Sequence, residues 1–339
     1  MPNKVKKFIY AEKFEGAPKP SNFRLEDGTL PSLKAGEVHF KAVAISVDPY
    51  MRAVGSVVPP GNTMFGAQVA KVVASNSPKF KVGDHAVGYF GWQTDYVGRP
   101  EDVLSPFGGN EEPYLLPDFK GLPLSLGLGV LGMPGNTAYF GLLEICKPVQ
   151  GEVVVVSGAA GAVGSLVGQI AKIKGAKVIG FAGSDKKVDW LLKELKFDWA
   201  FNYKKIGVLE ALKKAAPEGV DCYFDNVGGQ MSSDVISCMN NFGRVAVCGS
   251  VSTYNETKPV LASAIQMDVI LKQLKIEGFL VQRWLGMNRW FEGIKQNIEW
   301  IKQGKLVFKE TTYHGFEKLP EAFLGLFKGE NSGKAVVLV

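Results

Sequence analysis

Val153-Val154-Val155-Val156-Ser157-Gly158-Ala159-Ala160-Gly161-Ala162-Val163-Gly164 is the stretch of this 339-residue sequence on which its fold turns. The four valines predict a buried strand, the glycines a tight turn, and the apolar spacing beyond them a helix over Gly164–Lys174. A strand that passes through such a turn into a helix suits a dinucleotide. Glycine lets the backbone approach a pyrophosphate, and the free N–H groups at the helix N-terminus meet its charge. Ala159 stands in place of the first glycine of the common G-x-G-x-x-G pattern, so the turn taken alone also fits plain packing of a helix on a strand.

The residues downstream favour the first reading. A strand over Lys177–Ala182, a helix over Lys187–Leu195, an apolar segment Ala200–Tyr203 and strands at Val220–Phe224 and Arg244–Cys248 continue the alternation. This rhythm predicts an α/β domain, a doubly wound parallel sheet of the Rossmann type with helices on both faces. Upstream, the runs Glu37–Ser46, Gln68–Ala74 and His85–Phe90 lie between turn residues and predict a mostly antiparallel β domain. Gly83-Asp84 supplies the turn into the last of these. Arg99–Pro117, with little periodicity, reads as a surface loop. The tail offers strands at Leu306–Thr312 and Ala335–Val339 around a helix over Pro320–Gly329, and is expected to rejoin the first domain. The expected boundaries are 1–122 for the β domain, 123–300 for the dinucleotide-binding domain and 301–339 for the returning segment.

The second strand of the α/β part ends in Gly180-Phe181-Ala182-Gly183-Ser184-Asp185-Lys186-Lys187, about 20 residues after the glycine turn, where a ribose is read. No carboxylate sits at the strand tip itself, and Ser184, Lys186 and Lys187 suit a 2′-phosphate. NADPH is therefore expected over NADH. Asp185 has two readings, a ribose ligand or the cap of the next helix.

Composition narrows the function further. Apolar residues make up 46% and charged residues 21%, enough to build two cores. The net charge of +6 comes from 39 basic residues interspersed with 33 acidic ones, and the only dense run is Lys4, Lys6 and Lys7. That pattern is a solvated surface and not a nucleic-acid footprint. Cys146, Cys222, Cys238 and Cys248 are too scattered for a disulfide scaffold and fit reduced thiols in the cytoplasm. Met1–Tyr10 lacks the apolar core of a secretory signal. Gly121–Leu143 is uncharged and long enough to span a bilayer, but its prolines and glycines predict two short buried helices with a turn at Met133–Asn136. No membrane association is expected. No metal is expected either, because the first domain has no cysteine, and His39 and His85, read as a strand-surface residue and a packed residue beside a turn, make a poor zinc site.

Several motifs together are similar to one family. Val47-Asp48-Pro49-Tyr50-Met51-Arg52, Met133-Pro134-Gly135-Asn136-Thr137-Ala138-Tyr139-Phe140-Gly141, Ala159–Gly164, Phe224-Asp225-Asn226-Val227-Gly228-Gly229 and Ser252-Thr253-Tyr254-Asn255 resemble the prostaglandin reductase 1 group. This is a zinc-independent branch of the medium-chain dehydrogenases/reductases with alkenal reductase activity. The resemblance covers the whole chain and implies that the first domain is GroES-like and catalytic. It places NADPH on Ala160, Gly161, Ala162 and Val163, on Lys187 for the 2′-phosphate, and on Tyr203 and Asn226. Further contacts are implied at Cys248, Gly249, Ser250, Val251, Ser252, Thr253 and Tyr254, at Phe279, Leu280 and Val281, and at Asn331. Read without the family, Tyr203 and Phe279 fit core packing better.

The chemistry implied is reduction of a carbon–carbon double bond conjugated to a ketone or aldehyde, such as a 15-oxoprostaglandin or a 4-hydroxynonenal-type alkenal. Hydride adds to the β-carbon, charge moves to the carbonyl oxygen, and that oxygen needs hydrogen-bond donors. The nicotinamide ribose hydroxyl and Tyr50, which follows the Asp48-Pro49 turn, are the expected donors; Tyr50 otherwise lines the pocket. Tyr50, Arg52, Met133, Phe279 and Trp284 are the expected substrate contacts, with Arg52 or Arg283 pairing with a terminal carboxylate. Leu271 stands where some members carry a tyrosine, so a donor at that position is missing. Two alternatives remain, an NADPH quinone reductase of the same superfamily and a non-catalytic NADPH-binding structural protein. The family also implies a homodimer, for which Arg244–Cys248, read as an edge strand, and the helix-poor stretch beyond it are the expected contacts.

Overall fold

The lysine run at the N-terminus belongs to a strand. β1 (Lys4–Tyr10) exposes Lys4 and Lys6, buries Val5, Phe8, Ile9 and Tyr10, and pairs antiparallel with β2 (Phe23–Thr29). The computed structural model describes residues 4–55 and 58–339 and divides the chain into two units. The first contains the chain up to Leu128, Glu310–Asn331 and Ala335–Val339; the second contains Gly129–Lys309 and Ser332–Lys334.

In the first unit, β3 (Val38–Ser46), β4 (Gln68–Ser75) and β5 (His85–Gly88) run antiparallel in succession. β6 (Asp95–Gly98) adds to β3, and β7 (Tyr114–Leu115) adds to β5. Between β3 and β4 the chain forms α1 (Tyr50–Gly55). Val38, Phe40, Ala70, Val72, Phe80, Ala86, Phe90 and Val103 share one core. Val103 belongs to the segment expected as a surface loop. That segment also pairs Leu104 with Asn110 and sets the Phe107 ring 5.2 Å from that of Tyr50.

The second unit begins with α2 (Met133–Phe140), which continues as a π-helical turn over Gly141–Cys146. Met133–Asn136, expected as a turn, is the first turn of α2. Proline at a helix start forfeits no hydrogen bond, since its missing N–H would have no intrahelical partner there. The sheet is built from β8 (Val153–Val156), β9 (Lys177–Ala182), β10 (Trp199–Asn202), β11 (Val220–Asp225), β12 (Met239–Val247) and β13 (Lys275–Gly278). All neighbours are parallel, in the order β10-β9-β8-β11-β12-β13. The helices are α3 (Gly164–Ile173), α4 (Asp185–Lys193), α5 (Val208–Ala215), α6 (Gly229–Ser237), α7 (Gln266–Leu271), α8 (Gln282–Leu285) and α9 (Trp290–Lys302). The order is that of a doubly wound dinucleotide-binding sheet. It corrects one expectation: the Arg244–Cys248 strand lies inside the sheet as β12, and β13 occupies the edge.

The tail contributes β14 (Glu310–His314), α10 (Leu319–Lys328) and β15 (Lys334–Leu338). The strand expected over Leu306–Thr312 starts later because Leu306 is buried in the second unit. β15 lies against β3, Val336 facing Ser46, in the order β14-β15-β3-β4-β5-β7. Phe8, Tyr10, Phe14, Phe23, Trp92 and Phe323 form the aromatic centre of the first unit. Among the described residues no helix is long and apolar enough to cross a membrane.

Candidate functional site

In an open parallel sheet the helices reverse sides between the first strand and its neighbour, leaving a crevice beyond the carboxyl ends of the strands. Here that point lies between β8 and β11. The turn after β8 is fixed by its backbone. Gly158 has φ +59°, which a side chain disfavours. A Cβ on Gly164 would lie 2.4 Å from the Gly158 oxygen, so only glycine lets α3 start this close to the turn. Ala159 is fully buried and donates its N–H to the Phe181 carbonyl of β9 at 2.9 Å. An alanine therefore suffices at that position of the pattern.

The loop after β11 is organised by a residue the sequence reading did not single out. Asp225 is 1% exposed. One of its oxygens, Oδ1, accepts from the Ser157 hydroxyl at 3.0 Å, the Tyr223 hydroxyl at 2.8 Å and the N–H groups of Val227 and Gly228, both at 2.9 Å. Asn226 is tied to the turn after β8 in turn. Its N–H donates to Ser157 Oγ at 2.9 Å and its Nδ2 to the Ser157 carbonyl at 2.8 Å. The only sequence signal for this hub was its place at a strand terminus beside glycines.

The segment after β12 closes the same edge. Cys248 and Gly249 donate their N–H groups to the Asp225 carbonyl, Val251 donates to Asn226 and Ser252 to Val227. Ser252 Oγ also donates to the Val227 carbonyl at 2.6 Å. Thr253 Oγ1 donates back to the Ser250 carbonyl, and the Tyr254 hydroxyl accepts from the Ser250 N–H at 3.3 Å. Burial, and then the charge of Asp225, push the Cys248 thiol up to about 12, so it stays neutral. Burial likewise raises the Tyr254 phenol. Residues 248–254, which the family resemblance named as a block, thus form one hydrogen-bonded shelf with Asn226.

At the end of β9, Ser184 caps α4 by accepting the Lys187 N–H at 3.4 Å. Asp185, one of whose readings was the cap, lies in the first turn instead. Lys187 is half-buried, and its ammonium is pulled below its ordinary value by burial first and by the charge of Lys204 second. Neither lysine makes an ion pair among the described residues. The Tyr203 ring lies over Gly183, where an added Cβ would meet its hydroxyl at 3.2 Å. Another part of the edge comes from far along the chain: Gly333 N–H donates to the Ala160 carbonyl at 2.9 Å, and Gly333 pairs with Gly161 as a parallel bridge. Asn331 lies two residues before Gly333 in the chain.

Other expected contacts fall elsewhere. Trp284 is fully buried, its Nε1 donates to Glu144 at 2.7 Å and its ring stacks on Phe140 at 5.0 Å, so it is core and not a ligand wall. Phe279 packs on Phe224 and Trp284, at 6.0 and 5.7 Å between rings; beside it Val281 is buried and Leu280 exposed. Met133 is half-buried, its sulfur 3.6 Å from Thr137 Oγ1. Arg283 pairs with Glu277 at 2.9 Å, and Leu271 is exposed at the end of α7.

In the first unit, Arg52 is buried, donates from Nε to the Gly16 carbonyl at 3.0 Å and lies over the Phe14 ring; it is a core fixture, not a free anion receptor. Tyr50 is different. Its hydroxyl is shut from solvent, and burial first, then the Tyr89 phenol, Asp48 and Glu111, push it well above its ordinary value. The phenol therefore keeps its proton near neutral pH. His39 pairs with Asp95 at 2.8 Å across β3 and β6, largely buried and not on the strand surface.

Comparison with known proteins gives two family matches, a model described as the N-terminal domain of oxidoreductase over residues 6–105 and one described as zinc-binding dehydrogenase over residues 162–303. The residues present do not fit a zinc site. Among the described residues no cluster of three or more His, Cys, Asp or Glu side chains is placed to hold a metal, and Cys146 and Cys222 are buried against main-chain carbonyls. The chain is 48% identical over 334 residues to prostaglandin reductase 1 of Bos taurus, covering 98% of each protein. It is 42% identical to the NADP(+)-dependent 2-alkenal reductase of Nicotiana tabacum, covering 98% of this chain and 97% of that one. The crystal structure of CurA from Vibrio vulnificus in complex with NADPH superposes with a TM-score of 0.89 at 36% identity, covering 98% of this chain and 99% of that one. With the prostaglandin reductase match running nearly end to end and the doubly wound sheet in place, this chain belongs to the prostaglandin reductase 1 group of the medium-chain dehydrogenases/reductases.

Proposed function

We propose that the protein is an NADPH-dependent reductase of carbon–carbon double bonds conjugated to a ketone or aldehyde. The observation that carries the cofactor assignment is the half-buried Lys187 in the first turn of α4, just beyond the second strand, with Lys204 beside it and no carboxylate partner among the described residues. In this reading the turn over residues 158–164 and the Asn226 shelf hold the pyrophosphate and nicotinamide halves, and Lys187 the 2′-phosphate. Tyr203 and Asn331 complete the contacts, with Leu280 as the exposed member of its trio. Bound NADPH supplies the hydride that adds to the β-carbon of the substrate. Negative charge then gathers on the substrate's carbonyl oxygen, and Tyr50, kept protonated by its burial, donates to that oxygen. The proton at the α-carbon comes from solvent. Met133 contributes to the apolar substrate contacts.

The test is loss of NADPH absorbance with a panel of a 15-oxoprostaglandin, 4-hydroxynonenal, a simple enone and a quinone, repeated with NADH. Enone-dependent oxidation that is weak with NADH is the expected result. Turnover of the quinone alone would move the protein to the sister class, and binding without any turnover would make it a structural NADPH protein. Tyr50→Phe is expected to lower kcat on enones by about 10²-fold, the scale of one oxyanion donor, with NADPH affinity unchanged. An unchanged kcat would reduce Tyr50 to a wall of the pocket.

In this reading the protein acts in the cytoplasm as a homodimer. β13 leaves a sheet edge open, and Leu261, Met267, Ile270, Leu271 and Ile276 are exposed on and before it. An open edge beside exposed apolar side chains favours pairing with a second copy. Light scattering should give twice the 36.7 kDa chain mass, and Ile276→Lys should return it to the monomer value. A wild-type monomer at micromolar concentration would rule the dimer out.

A further inference from the structure

An acidic residue just beyond the second strand of such a sheet ordinarily accepts hydrogen bonds from the adenosine ribose, and its charge repels a 2′-phosphate. Asp185 occupies that neighbourhood, three residues after the end of β9. Yet its carboxylate is already engaged. Oδ1 accepts from Asn202 Nδ2 at 2.9 Å, and Oδ2 is paired with Lys205 Nζ at 2.5 Å. Asn202 is itself held at both ends, because its Oδ1 accepts the Lys204 N–H at 3.1 Å. Its carbonyl accepts the N–H groups of Lys205 and Ile206. The side chain cannot turn away from Asp185 without giving up its bond to the Lys204 N–H, while the main-chain bonds to Asn202 keep the bend in place. Asn202 first and Lys205 second hold the Asp185 carboxyl below its ordinary range.

The charges then sort into two groups. Asp185 and Lys205 neutralise each other, while Lys187 and Lys204 stay uncompensated by any carboxylate among the described residues. One of them, Lys187, is already half-deprived of water. Two such cations at the N-terminal end of α4 match a phosphate monoester, which carries close to two negative charges near neutral pH.

We propose that Asn202 and Lys205 form a latch that withdraws Asp185 from the adenosine ribose, and that Lys204 shares the 2′-phosphate with Lys187. The latch makes an acid-bearing turn select NADPH over NADH. This deepens the cofactor assignment above and rests on it.

The experiment is calorimetric titration of the full-length protein with 2′,5′-ADP and with 5′-AMP, which differ only by the 2′-phosphate. Lys204→Ala should weaken 2′,5′-ADP about tenfold and leave 5′-AMP unchanged, whereas equal weakening of both ligands would overturn the Lys204 assignment. Asn202→Ala/Lys205→Ala frees Asp185 and should weaken 2′,5′-ADP about tenfold, with 5′-AMP unchanged or tighter. Adding Asp185→Ala to that pair should restore 2′,5′-ADP binding, which a merely damaged turn would not show. A double variant that keeps the wild-type ratio, or a triple variant without recovery, overturns the latch. Should the double variant fail to fold, Lys205→Ala alone and its Asp185→Ala partner, both exposed sites, decide the same point. A wild-type protein with no preference for 2′,5′-ADP would instead overturn the NADPH reading itself, so the two failures are distinct.

Discussion

Asp225→Ala should lower the melting temperature of the protein by roughly 10 °C and abolish measurable NADPH binding. The carboxylate is buried, and the oxygen it would lose accepts from two hydroxyls and two backbone amides contributed by the turn after β8, by β11 and by the loop beyond β11. Removing a buried acceptor leaves its donors desolvated, at about 1–3 kcal/mol for each that finds no substitute. The Ser157 and Tyr223 hydroxyls can rotate toward other acceptors. The Val227 and Gly228 amides cannot, so a total of about 3–5 kcal/mol is expected. For a domain of this size each kcal/mol is worth about 2–4 °C. Asp225→Asn preserves the shape and one acceptor oxygen, and should lose about half as much. Differential scanning calorimetry measures both, and an alanine variant melting within a couple of degrees of the parent would remove Asp225 from its place as hub.

The second large effect is expected at Gly333. Its φ is +67°, and a Cβ there would lie 2.1 Å from the Lys309 carbonyl oxygen, so Gly333→Ala meets both a disfavoured backbone and a backbone atom that cannot move aside. The residue moved is the one that donates to Ala160 and pairs with Gly161. NADPH affinity measured by fluorescence should fall at least about tenfold, or about 1.4 kcal/mol. Gly121→Ala is the control: it too has positive φ, +88°, but nothing lies within 4 Å of its added carbon. It should cost stability of about 1 kcal/mol and leave NADPH binding alone. Equal NADPH affinity in the two variants would mean that residues 332–334 do not shape the turn.

The contrast between these two residues and the glycine turn shows what a sequence can reveal. The βαβ rhythm is written locally, in runs of valine and in helical spacing, and β9 occupies the predicted Lys177–Ala182. Asp225 was invisible as a hub because its donors include Ser157, 68 positions away. No local pattern marks an acceptor whose partners meet only after the sheet has formed. β13 escaped notice for a different reason: four residues, Lys-Ile-Glu-Gly, are too few and too polar to show a period, and without them β12 looked like an edge. The Pro134-Gly135 pair misled because the same dipeptide that makes a turn also opens a helix. Trp284 and Arg52 were drawn toward the pocket by residue type alone, whereas their fate was set by Glu144, Phe140 and Gly16, which burial made available.

The placement of β15 bears on how the protein is made. A ribosome delivers the chain from the N-terminus, and domains ordinarily fold in that order. Here all six strands of the second unit's sheet have emerged by Gly278, whereas the first unit's sheet lacks a central member until Leu338 is released. Of the two units, the one whose strands begin earlier in the chain is therefore the later to be completed. A nascent chain halted before Lys334 carries the finished sheet of β8–β13 and an open β sheet whose β3 still waits for its neighbour.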